Sequence, residues 1–319
     1  VADRLAALER QVEEALVGSD ARDDRELLAS VVDGTLAAVA RAQRWAPAEA
    51  LARLRAVDWA GWMVEPGRRV APWADATARA AYRYWWRVET VGVERVPADG
   101  PVVLVANRSG ALLPYEALMI ALALEAAPPG RIGARFVVDD WLLRLPVLGA
   151  ALVERGAVRA TPGAVRRLLA RAAAVIAFPE GPTAVAKPFR SRYRLAPFVE
   201  EGFARAAIQT GAPIVPVAVI GAEETHPVLA RADALGRLVG LPTLPLTATF
   251  PWLGAAGLLP LPTKWVVHFG EPLEVAGRYG PDEAGRAAPV RQLRDQVRER
   301  VQALVLEGLR RRRAIFRRS

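Results

Sequence analysis

Three apolar segments of the sequence each end next to residues that could do chemistry. The first runs from Val102 to Ala106 and is followed by Asn107 to Ser109, the second leads into Phe178 to Gly181, and the third runs from Ile214 to Val219. Short apolar runs of this kind are typical of strands buried on both faces. Ligands of open α/β sheets bind at the carboxyl ends of such strands. We therefore expect the functional residues to lie there.

The residue types available restrict the chemistry. The chain has no Cys, which excludes a thiol nucleophile and disulfides. It has two His, His226 and His268, and this small number disfavours a transition-metal site. Neither the G-x-x-x-x-G-K-[ST] loop nor a G-x-G-x-x-G turn after a strand is present, so nucleotide sites of those types are unsupported.

The segments that would position these residues alternate between short apolar strands and helical periods from Val91 onward. This alternation predicts an α/β fold, a mixed sheet flanked by helices. We expect strands at 134–138 and 265–269. We expect helices at 115–126, 163–173 and 198–210, and a helix or loop around 141–153.

The chain divides into three predicted regions. Residues 1–88 form a helical, Trp-rich N-terminal region, residues 89–280 form the α/β domain, and residues 281–319 form a basic amphipathic helix. Six of the nine Trp lie between Trp45 and Trp86. Their indoles either pack the N-terminal helices onto the α/β domain or form a belt at membrane headgroup level.

The three strand ends, in this order, resemble the glycerophospholipid acyltransferase family, which includes the 1-acylglycerol-3-phosphate acyltransferases. The resemblance covers roughly residues 90–275. It is close at Ala106-Asn107, at Phe178 to Gly181, at Gly211 to Val217 and at Phe269 to Pro272. It implies that family's α/β fold, and a reaction in which an acyl group passes from a thioester to a lysophospholipid or glycerol-phosphate hydroxyl.

The resemblance also implies a catalytic position that this sequence has changed. The family's His base aligns with Arg108, and its orienting Asp aligns best with Glu116. A guanidinium has a pKa above ~12 and cannot accept a proton at neutral pH. We expect Arg108 and Glu116 to form a salt bridge in place of the usual pair. His226 and His268 fall outside the family's catalytic motif.

Candidate substrate-binding residues follow from the same resemblance. They are Arg159, Glu180, Gly181, Lys187 and Arg192. Pro182-Thr183 replaces the Thr-Arg of the family's motif, and the basic residues that follow it could supply the missing charge. Glu200 and Glu201 either face the cleft, where they would repel a phosphate, or face solvent at a helix start.

Two functions remain open from the sequence. The first is acyl transfer to a glycerolipid hydroxyl at the membrane surface, impaired because the His base is absent. The second is a catalytically silent relative that binds lipid or acyl thioester as a sensor or scaffold. The resemblance implies an acyl donor that is acyl-CoA or acyl-carrier protein, a lysophospholipid acceptor, no cofactor and no metal.

The charge distribution predicts an anionic surface as a partner. The formal net charge is +9. Residues 290–319 carry ten Arg against three acids, a net of +7, whereas residues 1–38 have a net charge of −5. The α/β region contains no recognisable nucleic-acid module, so we expect no nucleic acid and favour a membrane.

The C-terminal helix is the predicted membrane contact. Its apolar face comprises Val290, Leu293, Val297, Val301 and Leu304, and its Arg face is either solvated or docked on lipid headgroups. No apolar run reaches the ~18 residues of a spanning helix. The first residues lack a signal-like pattern, although Val1 leaves open a longer natural N-terminus. We expect a cytoplasmic protein, peripheral on the inner face of the membrane.

Overall fold

The computed structural model describes residue 7 and residues 72–109, 113–128, 133–143, 148–161, 163–181, 184, 187–234, 243–250, 252–253, 257 and 259–312. The helices predicted before residue 72 lie outside these ranges, as do Pro182, Thr183, Arg313, Arg317 and Arg318. No helix in the described ranges has both the length and the apolar composition needed to cross a bilayer.

The regular elements of the described ranges alternate as the sequence pattern predicts. In chain order they are α1 (Pro72–Ala80), β1 (Glu89–Val91), β2 (Val102–Ala106), α2 (Tyr115–Ala126), β3 (Arg135–Val138), α3 (Asp140–Leu143), α4 (Leu148–Glu154), β4 (Ala157–Arg159), α5 (Ala164–Leu169), β5 (Ala174–Ala177), α6 (Gly202–Thr210), β6 (Ile214–Ile220), β7 (Val228–Ala232), β8 (Leu244–Thr247), β9 (Val266–Phe269) and α7 (Ala287–Arg311). A π-helical turn, Ala81–Trp85, follows α1.

Seven of these strands form one mixed sheet in the order β1-β9-β6-β2-β5-β3-β4. Strands β6, β2, β5, β3 and β4 are parallel to one another, and β9 runs antiparallel to β6. Strands β7 and β8 pair separately as a two-stranded antiparallel sheet. The carboxyl ends of the five parallel strands therefore meet at one edge, which is where the sequence predicts the functional residues.

Both faces of the sheet are covered because its central strands are apolar on both sides. In β2, Val103 and Val105 pack on the face covered by α5, α6 and α7, whereas Leu104 and Ala106 pack on the face covered by α2. Every residue of β2, β5 and β6 is buried. This arrangement confirms the predicted mixed α/β fold with helices on both faces.

Most predicted elements are present, with shifts at their ends. The helix predicted at 115–126 is α2, and the strand predicted at 134–138 is β3. The helix predicted at 163–173 ends at Leu169, because the chain turns there through Ala172, whose φ is +56°. Strands β7 and β8 were not predicted, since the surrounding sequence is rich in Pro and Gly.

The C-terminal helix α7 departs from its predicted membrane role. Four of the five residues of its apolar stripe are at most 1% exposed, and Leu304 packs against the same core. The stripe contacts the sheet and α6. The prediction that this stripe docks on a membrane is therefore wrong, because the hydrophobic surface is already buried inside the domain.

Candidate functional site

A cavity of about 380 Å³ opens at the carboxyl edge of the parallel strands. Its lining comes from the residues after β2, β3, β4 and β5 and from the first residues of α5 and α6. Arg108, Phe178 and Gly181 are among the lining residues. Two of the three strand ends singled out in the sequence, those of β2 and β5, therefore meet around one space, and the end of β6 is not part of its described lining.

Asn107 holds the end of β2 against β6. Its Nδ2 donates to the carbonyl of Val219 at 3.0 Å, and its Oδ1 accepts from the Val219 N–H at 2.7 Å. The side chain thus continues the hydrogen bonding of the two strands beyond the last ladder pair, and fixes the direction in which the next residue leaves the sheet.

That next residue, Arg108, is buried and is part of the cavity lining. Its guanidinium lies 5.6 Å from the ring centre of Phe178, and its Nε is 3.7 Å from Oε1 of Glu116. The predicted Arg108–Glu116 ion pair is therefore present. Within the described residues, Nε and Nη2 of Arg108 are buried without a hydrogen-bond acceptor.

Glu116 lies in the first turn of α2 and is fully buried. Its Oε1 accepts the N–H of Ser109 at 3.3 Å, and its Oε2 is buried with no donor among the described residues. Burial raises the pKa of Glu116, and the nearby charge of Arg108 opposes that shift. The pair is thus a carboxyl group and a guanidinium in a poorly solvated position.

The carboxylate of Glu180 links the end of β5 to the segment after β2 and to the loop before α6. Its Oε1 accepts the N–H of Arg108 at 2.7 Å, and its Oε2 accepts the N–H of Ala196 at 2.6 Å. It is fully buried, and burial raises its pKa while Lys187 opposes the shift. Glu180 is not among the residues that line the cavity, so a contact with substrate stays a prediction.

Gly181 shows why the turn after Glu180 needs a glycine. Its φ is +68°, in the left-handed region, and a Cβ at this position would lie 2.9 Å from Cγ2 of Val199. The chain can therefore bend sharply after β5, and the Gly181 backbone lines the cavity.

Lys187 belongs to a buried charge cluster beside Glu180. Its Nζ lies 2.9 Å from Oε1 of Glu223 and donates to the carbonyl of Arg194 at 2.7 Å. Burial lowers the pKa of Lys187, but Glu223 and Glu180 outweigh it, so the pKa is raised overall. The position favours a structural cation, and its predicted contact with substrate stays untested.

Arg159 and Arg192, the two other predicted substrate ligands, do not line the cavity. The side chain of Arg159 is 59% exposed and pairs with Asp140 at 2.7 Å. Arg192 is buried, with its guanidinium 4.3 Å from the ring centre of Phe189. The structure therefore brings together Arg108, Glu116, Glu180 and Gly181, and places these two arginines elsewhere.

The two acidic residues before α6 lie in different environments. Glu200 is exposed and lines the cavity. Glu201 instead pairs with Arg205 at 2.9 Å and with Arg294 of α7 at 3.2 Å. Only Glu200 is thus placed to influence a charged ligand.

A second buried charge cluster, which the sequence patterns did not predict, lies next to β6. Arg312 donates to both carboxylate oxygens of Glu224, at 2.7 and 2.5 Å, and the Tyr193 hydroxyl donates to Oε1 of Glu224 at 2.5 Å. The Arg312 and Glu224 side chains are 6% and 3% exposed. Glu223 and Glu224 follow the end of β6, so the strand-end rule applied to β6 would have found them.

Neither His lines the cavity. His268 is 1% exposed within β9, and burial lowers its pKa. The ring of His226 stacks parallel to Tyr115, with centroids 6.1 Å apart. Burial raises the pKa of Tyr115 to about 12. Arg108 therefore lines a cavity whose described lining contains no imidazole.

These features define a class: an α/β domain with a ligand cavity at the carboxyl edge of its parallel strands. Residues 87–220 match the family model described as Acyltransferase. Those residues, which include β1 to β6, make up less than half of the chain. The predicted resemblance to acyltransferases is confirmed over this segment. The replacement of a catalytic His by Arg108 stays a prediction from the sequence.

Relatives in three mycobacteria align with a longer part of the chain. Uncharacterized proteins of Mycobacterium tuberculosis and Mycobacterium bovis are each 41% identical over 238 residues, which is 75% of this chain and 66% of the relative. An uncharacterized protein of Mycobacterium leprae is 40% identical over 238 residues, or 75% of this chain and 64% of the relative. The chain thus spans slightly less than two thirds of these relatives.

The fold also resembles that of a solved structure, with a lower sequence identity than the mycobacterial relatives have. The 1-acyl-sn-glycerophosphate (LPA) acyltransferase PlsC from Thermotoga maritima is 19% identical, with a TM-score of 0.48, over 76% of this chain and 80% of that chain. A TM-score of this size is too low to carry an argument about substrate or mechanism.

Proposed function

We propose that this protein binds an acyl thioester and a lysophospholipid or glycerol-phosphate acceptor at the cavity, and transfers the acyl group slowly. The family of residues 87–220 and the position of the cavity support this proposal. In the reaction, the acceptor hydroxyl oxygen attacks the thioester carbonyl carbon, the carbon–sulfur bond breaks, and the thiolate leaves. The hydroxyl proton passes to water, or to a residue other than Arg108 that acts as the base, and finally to the departing thiolate.

The position and chemistry of Arg108 are the observation from which we expect slow transfer. Arg108 lines the cavity, and its guanidinium is buried beside Glu116 and cannot take a proton. A cation there can still stabilise the oxyanion that develops on the thioester oxygen. The domain therefore retains electrostatic stabilisation but lacks a base at that position, a loss that typically costs ~10²–10⁴ in rate.

The same observation favours a second candidate, binding without turnover. The buried Arg108–Glu116 pair fills the position with two groups that neutralise each other, and Glu180 fixes the backbone of Arg108. A domain of this kind would hold lipid or acyl thioester as a sensor or scaffold.

The Arg108→His variant distinguishes these candidates. We expect native protein to consume acyl thioester slowly with a lysophospholipid acceptor, and Arg108→His to accelerate it by roughly 10²-fold, because the resemblance implies that Glu116 takes the position of the family's orienting Asp. Arg108→Ala is the matched control for removal of the guanidinium, and it should not accelerate the reaction.

Two results would contradict slow transfer. The first is turnover by native protein at ~1 s⁻¹ or faster together with a lower rate in Arg108→His. This result would show that Arg108 does not slow the transfer. Complete inactivity of both proteins, with ligand still bound, would favour the second candidate.

A further inference from the structure

Four of the seven large hydrophobic side chains that are exposed in the described ranges lie on two neighbouring segments. Tyr84 and Trp85 belong to the π-helical turn after α1, and Trp252 and Leu259 belong to the segment between β8 and β9. Their exposed fractions range from 46% to 76%. We call these four side chains the apolar surface. Single exposed hydrophobic residues are common, but a group of them marks a binding surface.

Hydrogen bonds hold the two segments together. Three consecutive side chains, Trp85, Trp86 and Arg87, donate to the three consecutive carbonyls of residues 260–262 at 2.9 to 3.1 Å. The indole N–H of Trp85 therefore has its acceptor inside the protein. Its exposed ring can pass from water into an apolar medium without leaving a donor unpaired.

The apolar surface lies at the same edge of the large sheet as the cavity. The segment that contains residues 260–262 leads into β9, whose first residue pairs with Ile220 at the end of β6. The N–H of Leu261 donates to the carbonyl of Thr225, which follows β6, at 2.9 Å. The cavity is lined by residues that follow the parallel strands. One edge of the sheet thus carries both features.

The charges next to the apolar surface are basic. Arg79, Arg83 and Arg87 line a groove of about 490 Å³ together with Tyr84, and the described lining of this groove contains no acidic residue. Arg79 forms ion pairs with two carboxylates outside that lining, whereas Arg83 is exposed. Residues 238–263 contain no charged side chain. An uncharged loop beside basic side chains is complementary to a bilayer, whose anionic head groups cover an apolar interior.

We propose that the apolar surface docks on a bilayer of anionic phospholipid, with its side chains at the level of the head groups and Arg83 against the phosphates. The edge of the sheet that carries the cavity then faces the lipid. A protein partner fits less well, because protein interfaces surround their apolar centre with a polar rim, and residues 238–263 offer no charged side chain for one. Docking breaks no bond and does not depend on the acyl transfer proposed above.

Sedimentation of the full chain with phosphatidylglycerol vesicles at about 0.1 M and about 1 M salt tests the proposal. High salt shortens the Debye length to about 3 Å, so the binding that remains there comes from the apolar surface rather than from basic residues. Leu259→Ser should lower the affinity roughly 5–10-fold at both salt concentrations, because it removes an apolar side chain that the bilayer buries.

Val153→Ser is the matched control for Leu259→Ser. Val153 is also an exposed aliphatic residue, but it lies at the opposite edge of the sheet, where α4 leads into β4. The control variant should bind vesicles as native protein does.

Arg83→Gln tests the basic side of the surface. It should lower the affinity about fivefold at low salt and leave it unchanged at high salt, because salt screens the attraction to the head groups. Arg171→Gln removes an exposed arginine near the start of β5, at the opposite edge of the sheet, and should bind as native protein does at both salt concentrations.

The proposal is overturned if native protein loses all vesicle binding at high salt, a comparison that holds even if a variant fails to fold. Native affinity in both Leu259→Ser and Trp252→Ser would also overturn it. A dimer of native protein that Leu259→Ser dissociates, without vesicle binding, would assign the apolar surface to a second copy of the chain instead. The assay contains no thioester, so its result does not decide whether acyl transfer occurs.

Discussion

Glu180, which follows β5, holds two other segments of the chain in place through its buried carboxylate. Both of its carboxylate oxygens accept backbone N–H groups, one from Arg108 and one from Ala196. The first contact fixes the segment after β2, and the second fixes the loop that leads to α6. Only one of these contacts survives if one oxygen is replaced by a donor, as in an amide.

We therefore expect Glu180→Gln to destabilise the domain by about 2–3 kcal/mol, since hydrogen bonds to a charged group contribute about 1.5–3 kcal/mol and one buried N–H would lose its acceptor. Urea unfolding measures the change. Glu274→Gln, at an exposed carboxylate, is the control and should change stability by less than about 0.5 kcal/mol. Equal small effects in both variants would mean that the Glu180 carboxylate does not fix these segments.

At the scale of elements, the last turn of α7 is locked to the loop after β6. Arg312 and Glu224 form a bidentate pair that is buried with Tyr193. A few residues earlier, Gly308 contacts the sheet so closely that a Cβ would lie 2.5 Å from Cδ1 of Ile220. The end of α7 is thus part of the core, although its sequence consists largely of arginine.

Arg312→Met should lower the free energy of unfolding by about 3–5 kcal/mol, because it leaves the Glu224 carboxylate buried without its cation. Its neighbour provides a matched control. Arg311 is 59% exposed and pairs with Glu307 within the helix, so Arg311→Met should cost no more than about 0.5 kcal/mol. A second mutation, Glu224→Gln, should recover part of the loss in Arg312→Met. Similar unfolding curves for both single variants would refute the buried pair.

At the scale of the whole molecule, the uneven charge still favours a membrane contact, but through surfaces other than the apolar stripe of α7. The apolar stripe of α7 is buried, so it cannot enter a bilayer. Exposed aromatic and aliphatic side chains remain on the surface, with Trp85 at 46%, Trp252 at 76% and Leu259 at 67%. Together with the basic residues beyond Arg312, they could contact anionic lipid headgroups.

We expect binding to anionic vesicles that weakens as salt rises. Removing residues 313–319 takes away three Arg and should reduce vesicle binding measurably, at ~1 kcal/mol per basic residue near the surface. A deletion from residue 308 is unsuitable, because it would also remove the buried contacts of Gly308 and Arg312 and so would not leave the fold intact. Sedimentation with anionic and neutral vesicles gives the measurement. Equal binding to both lipids would exclude an electrostatic anchor.

The sequence by itself determined the central strands of the large sheet, most helices and the positions where the site would form. Those features depend on local patterns: apolar runs such as Val102 to Ala106, the glycine after Glu180, and the period of the α2 segment. The pairing of Arg108 with Glu116 was expected from the resemblance, because these residues align with the family's His and Asp.

Only the tertiary structure decided which distant groups meet. Glu180 meets the backbone of Arg108 across 72 positions, and Arg312 meets Glu224 across 88. Such partners depend on how strands and helices pack, which no local pattern encodes. The same holds for α7: its sequence shows an apolar face and a basic face, but a bilayer and a protein core present the same kind of apolar surface. Packing against the sheet and α6 decided between them.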